Sequence, residues 1–125
     1  ILGIERDDKE RRQDWVLRGF RQFDAPVSIV LAYDSSLEPA TISHFDLGAI
    51  VYGLTLAAWT RGLGTVINGQ GIMQSDVVRE HAKIPDWQTI MTCVAMGYPD
   101  EDFSANKVKS RRTPNDEIIS YVGFE

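Results

Sequence analysis

Between residues 43 and 61 nearly every position of the helical period is apolar. Phe45, Leu47, Ala49, Ile50, Val51, Leu54, Leu56, Ala57, Ala58 and Trp59 leave no wide polar face. A helix composed this way must be covered on most sides. The chain has 125 residues, enough for one domain, and a quarter of them are charged, so little apolar material remains to wrap such a helix. The sequence therefore predicts a covering surface contributed by a second subunit or by another part of the same polypeptide. The small residues Gly48, Gly53, Ala57 and Ala58 would let another helix come close. The competing reading is a central helix wrapped by its own chain. Thr41 or Ser43 is the expected N-cap, with Asp46 favourable in the first turn.

The remaining segments alternate strand and helix. Residues 5–22 interleave charges around Trp15, Val16 and Phe20 and read as an exposed helix with one apolar stripe. Residues 27–33 form a continuous apolar run bounded by Pro26 and Asp34, the pattern of a central, doubly covered strand. Residues 63–67 and 89–96 read as two further strands. Residues 74–83 read as a short amphipathic helix with Val77, Val78 and Ala82 inward, ended before Ile84 and Pro85. This order points to an α/β or α+β fold. Residues 118–124 form an apolar tail that needs a docking surface.

Composition excludes several classes. The net charge of −5 argues against a protein devoted to gripping nucleic acid. The single cysteine, Cys93, precludes an intrachain disulfide or cysteine-based zinc cluster and sits in a strand-like apolar setting, as a buried thiol would. The apolar stretch at residues 45–59 is interrupted by Asp46, Tyr52 and Thr55 and falls short of the ~20 residues of a membrane span. A soluble, cytoplasmic protein with no membrane or nucleic-acid partner is expected. His44 and His81 lie far apart and lack carboxylate helpers at metal-ligand spacing. No nucleophile elbow, phosphate loop or dinucleotide fingerprint is present, since Gly62-Leu63-Gly64 follows a helix and precedes a strand.

Two features remain that could bind a ligand. Residues 61–71 join a helix end, a short β-branched strand and a glycine-rich turn, where Gly69 and Gly71 leave main-chain N–H groups uncovered. Lys107, Lys109, Arg111 and Arg112 concentrate four basic residues in six positions, whereas residues 26–60 contain no Lys or Arg. A solvated basic loop is one reading of that cluster. An anion of phosphate size is the other, and a flavin mononucleotide would use both features. Its phosphate takes Arg or Lys with a hydroxyl such as Ser110. Its ring edge takes main-chain N–H donors, and a donor near N5 favours the electron-rich reduced ring.

Phe23-Asp24-Ala25-Pro26 leading into a strand, Asp46-Leu47-Gly48 in a long apolar helix, Leu56-Ala57-Ala58 followed by Arg61-Gly62-Leu63-Gly64-Thr65, then Ile84-Pro85, Gly97-Tyr98-Pro99-Asp100 and a late Arg-x-Pro occur in order along nearly the whole chain. Together they resemble the C-terminal half of the FMN-dependent nitroreductase family. The resemblance implies an α+β, three-layer fold with a central, mainly antiparallel sheet flanked by helices. It also implies an intertwined homodimer with FMN at the interface, and alternating reduction by NADH or NADPH and oxidation by an electron-poor acceptor such as a nitroaromatic or quinone.

By position, the family's turn beneath the flavin falls on Ile67, Asn68, Gly69 and Gln70. The Gly69 N–H then stands for the N5 contact. This chain has Ile67 where proline is common and Gly69 where glutamate or alanine is common, which favours backbone over side-chain contacts. Aligned on Pro114, the late phosphate-binding arginine falls on Arg112, or on Arg111 if the alignment slides by one, with Ser110 beside it. No catalytic side chain is assigned.

The family's N-terminal Arg-Arg-Ser-x-Arg segment has no counterpart in residues 1–24, where Arg11-Arg12-Gln13 lies in a charge-mixed helical context. With the absent initiator methionine and the long apolar helix, the expectation is that residues 1–125 are the C-terminal portion of one domain, a fragment or one half of an enzyme whose remainder is elsewhere. A dehalogenating or dehydrogenating flavoprotein on the same fold, and a non-catalytic assembly fragment, remain the alternatives.

Overall fold

The computed structural model describes residues 2–124. Three strands form one sheet in the order β1-β3-β2: β1 is Val27–Asp34, β2 is Gly64–Ile67 and β3 is Gln88–Gly97. Both outer strands run antiparallel to β3, from Val27 opposite Met96 to Asp34 opposite Gln88 on one side and from Gly64 opposite Gly97 to Ile67 opposite Val94 on the other. The central, doubly covered strand is thus β3, in which Cys93 and Val94 are 0% exposed. The apolar run at residues 27–33 instead forms an edge strand whose first residues are open to solvent. Periodicity could not separate the two, because a continuous apolar run reports burial without reporting neighbours. A register shift between Leu31 and Ala32 leaves Met91 as the extra residue of a bulge, and Leu31 and Tyr33 are both buried.

The long helix α2 spans Ile42–Trp59 and packs one stripe on the sheet. Val51 joins Leu31 and Val94 in the buried core, with Leu47, Leu54 and Ile29 packed against it. The other faces of α2 are bare: Phe45 is 71%, Tyr52 67% and Trp59 79% exposed. The described residues therefore do not wrap this helix, and the reading of a helix buried by its own chain is overturned. By length and hydropathy α2 qualifies as a membrane span, contrary to expectation. Val51 and Ala58, both buried, give it a side that belongs to a protein core. Thr41 stands at the N-cap position as expected, but no side chain caps the helix, and Asp46 lies beyond the first turn. Thr41 makes no side-chain capping bond, and the Ser43 hydroxyl donates back to the Ala40 carbonyl at 3.1 Å. At the other end Gly62, at φ +73°, closes the helix while the Leu63 N–H reaches the Ala58 carbonyl.

The first helix, α1, covers Lys9–Leu17, shorter than the expected 5–22; residues 18–21 continue as turns and the left-handed residues from Gln22 redirect the chain. Asp8 caps it by accepting from the Arg11 N–H at 3.0 Å. Helix α3, Ser75–Ala82, ends at Lys83 in the left-handed conformation, with the Ile84 N–H bonded to the Arg79 carbonyl. Of its expected inward residues only Val78 is half-buried, while Val77 and Ala82 face solvent. Arg79 provides the anchor that the apolar pattern did not show, donating to the carbonyls of Pro85 at 2.6 Å and Gln88 at 2.9 Å. The last helix, α4, is a single turn at Asn115–Ile118, followed by the exposed apolar residues Tyr121, Val122 and Phe124.

Truncating a buried branched side chain removes its transfer energy and leaves a cavity. Leu31→Ala is expected to lower unfolding stability by about 2–5 kcal/mol, read from the midpoint shift in denaturant titration.

Candidate cofactor site

The β2 strand is short and β-branched, and it passes at once into a turn that closes back on β3. The Asn68 N–H donates to the Cys93 carbonyl at 2.8 Å, extending the ladder one residue beyond Ile67, and the Cys93 thiol donates to the Asn68 carbonyl at 2.9 Å. The Asn68 side chain is 4% exposed and saturated. Its Nδ2 donates to the Gly19 carbonyl at 2.7 Å and to Gln22 Oε1 at 3.0 Å, and its Oδ1 accepts from the Gln70 N–H at 3.1 Å. Gln70 in turn donates from Nε2 to the Val16 carbonyl at 3.0 Å. The side chains of Asn68 and Gln70 thus join the turn to residues 16–22, which cover the sheet face opposite α2.

Two glycines make that join possible. A Cβ on Gly19 would run into the Gln70 side-chain amide, and one on Gly71 would meet the Gln22 amide and lie 2.7 Å from the Cys93 sulfur. Residues Gln22, Phe23 and Asp24 all take left-handed φ, between 56° and 61°. Each such residue costs about 1–2 kcal/mol without glycine's freedom. The turn is held by a Phe23 N–H bond to the Arg18 carbonyl at 2.8 Å and by ion pairs of Asp24 with Arg18 at 3.1 Å and Arg21 at 3.5 Å. A hydrogen bond from Arg21 to Asp14, with the Asp14 and Asp24 charges, raises the Arg21 pKa above its ordinary value. Arg18 also lies 4.7 Å above the Phe103 ring, which stacks on Trp15 and secures the segment after β3.

Gly69 is different in kind. It is exposed, a Cβ there would meet nothing within 4 Å, and among the described residues its N–H has no acceptor. It is an uncovered main-chain donor held between Asn68 and Gln70. Ile67, on the α2 side of the sheet, is 59% exposed and lines an open groove of about 520 Å³ with His44, Val51, Tyr52 and Met91. A flat, partly apolar ring with a hydrogen-bond acceptor on its edge fits this combination. The basic cluster is separate. Lys107 to Arg112 are all exposed, and the Arg112 guanidinium donates to the Ser110 hydroxyl at 2.7 Å. Among the described residues, no hydrogen bond or ion pair connects Ser110, Arg111 or Arg112 to the turn at residues 67–70.

Against known proteins, the model of the nitroreductase family matches residues 3–98. The chain belongs to the nitroreductase family. The chain is 32% identical over 120 residues to a chloronitrobenzene nitroreductase of Comamonas testosteroni, covering 96% of its own length and 52% of the relative's. It is 33% identical over 121 residues to a nitrobenzene nitroreductase of Ectopseudomonas oleovorans, covering 97% and 52%. The crystal structure of the FMN and NADPH-dependent nitroreductase NfnB from Sphigopyxis sp. strain HMH superposes with a TM-score of 0.82 at 29% identity, covering 98% of this chain and 54% of that one. The chain thus spans about half the length of the relatives it matches. The α+β fold with an antiparallel sheet agrees with the expectation from its sequence motifs.

The sequence did not indicate that Gly19, Gln22 and Cys93 brace the turn. Gly19 and Gln22 lie in a charge-rich segment with no local signal of burial, and only Cys93 carried one. Gly71→Ala forces the added methyl into Gln22 and Cys93. Overpacking of this kind costs about 1–3 kcal/mol, and thermal unfolding of the purified variant is expected to show a lower Tm.

Proposed function

We propose that this nitroreductase-family chain is the C-terminal portion of one domain of an FMN-dependent NAD(P)H oxidoreductase. The enzyme reduces nitroaromatics, quinones or similar electron-poor acceptors and works as a soluble, cytoplasmic homodimer. The observation that carries the reading is the Gly69 N–H, without an acceptor among the described residues and two positions along the chain from Ile67, which lines the groove. The names of the related nitroreductases support the acceptor class.

Bound FMN would supply the hydride-accepting and hydride-donating chemistry. The chain contributes placement. Gly69 presents a main-chain donor to the ring edge, and with no Cβ it keeps the approach open. Ile67, Val51 and Leu47 offer an apolar wall that excludes water from one side of the groove. Arg112, aligned by Ser110, supplies a charge-assisted bond to the phosphate, and Arg111 extends the same positive edge. No side chain is required to carry a proton in the hydride step.

The bare faces of α2 and the separation of the turn from the basic cluster support the subunit arrangement. A helix with exposed Phe45, Tyr52 and Trp59 needs an apolar partner. In the dimer the polypeptide absent from residues 1–125 and the second subunit complete the pocket around Gly69.

The test is optical. The intact protein is expected to purify yellow, and Arg112→Ala to weaken FMN binding about 10–100-fold, the equivalent of a charge-assisted bond of about 1.5–3 kcal/mol. Ser75→Ala, on the outer start of α3, should leave that affinity unchanged. Protein that stays colourless after incubation with FMN overturns the flavin reading and leaves assembly as the role of these surfaces. Sedimentation provides a second check: Trp59→Glu places a charge on the bare face of α2 and is expected to shift the dimer toward monomer.

A further inference from the structure

Every polar group of Asn68 is engaged. Its N–H and carbonyl both meet Cys93, its Nδ2 meets Gly19 and Gln22, and its Oδ1 meets the Gln70 N–H. The last of these bonds closes a ring across Gly69, from the side chain of residue 68 to the backbone of residue 70. A glycine would otherwise be the most mobile point of this turn. Here both of its peptide neighbours are tied down: Asn68 to the central strand at Cys93 and, through its side chain, to Gly19 and Gln22, and Gln70 to the Asn68 side chain and the Val16 carbonyl of α1.

We propose that Asn68 is a positioning residue that aims the Gly69 N–H, and so sets the reduction potential of the bound flavin without touching it. The inference rests on the flavin reading above. In a site that excludes water, a preorganised donor acts without reorganising at the moment of reaction, so its alignment has an energetic weight that a mobile donor lacks. A donor aimed at the ring edge favours the electron-rich form. Loss of the aim therefore weakens binding of reduced flavin more than of oxidised flavin, and the potential falls. Asn68 cannot act instead by contact, since both ends of its amide are occupied on the sheet face away from the groove.

The experiment is a redox titration of the flavin-loaded, intact protein, with FMN affinity measured separately for the oxidised and reduced forms. Asn68→Ala is expected to lower the ratio of reduced to oxidised affinity about tenfold, which for a two-electron couple is about 30 mV. Gln22→Met removes one acceptor of the Asn68 amide while keeping its bulk, and a shift of about threefold in the same direction is expected. Leu31→Ala weakens the core on the far edge strand and should lower the Tm with the potential unmoved, which separates positioning from loss of stability.

A folded, flavin-loaded Asn68→Ala protein with the parent potential overturns the inference and leaves the flavin reading intact. So does a shift of equal size in Leu31→Ala. Should Asn68→Ala fail to fold, an unmoved potential in Gln22→Met overturns it equally. Intact protein that binds no FMN overturns the flavin reading itself.

Discussion

The buried amide of Asn68 is the interaction on which the rest of the arrangement depends. It lies where three parts of the chain meet: the end of β2, the centre of β3 at Cys93, and residues 16–22. An unpartnered buried amide costs about 1–3 kcal/mol, so the three parts must assemble together or pay that penalty. Gly19 and Gly71 are the spaces that allow them to meet, because a methyl at either position would collide with a glutamine side chain from the other segment. The left-handed residues 22–24 are a cost of the same assembly, offset only in part by the partly exposed ion pairs of Arg18 and Arg21 with Asp24.

This bracing divides the labour within the turn. Residues 68 and 70 direct their side chains inward and hold the fold, while Gly69 between them faces outward with its N–H free. A binding element built this way relies on main chain. A Cβ at residue 69 would meet no other part of the described chain, so the space beside its N–H is left open. The opposite face of the sheet carries the complementary asymmetry: α2 packs through Val51 and leaves its other apolar faces uncovered. Those faces and the exposed tail at Tyr121, Val122 and Phe124 form more apolar surface than an isolated domain carries.

Much of this was legible in local pattern. The strand at residues 63–67, the helix at 43–61 and the strand at 89–96 follow from β-branched content, helical composition and turn residues, and their bounds moved by only a residue or two. The mismatch between the apolar circumference of α2 and the size of the chain already implies the uncovered face. Thr41 holds the N-cap position of α2 as the sequence suggests but makes no capping bond with its side chain, while the Ser43 hydroxyl, inside the first turn, turns back to the Ala40 carbonyl. Val77 was misplaced because three short apolar residues on α3 define an inward face only if something packs on it, and α3 is anchored by Arg79 instead.

By itself the sequence determined which segments become strands and helices, that α2 needs cover, and that glycines between residues 61 and 71 would expose main chain. These are consequences of nearest-neighbour sterics and of apolar periodicity, which are written in consecutive residues. Only the tertiary structure decided that β3 is central and β1 an edge, that Asn68 and Gln70 face inward, and that among the described residues the Gly69 N–H has no acceptor. Strand order, and the partners of a buried amide, are set by contacts between residues 16–22, 67–71 and 93, and no local pattern encodes a contact across that separation.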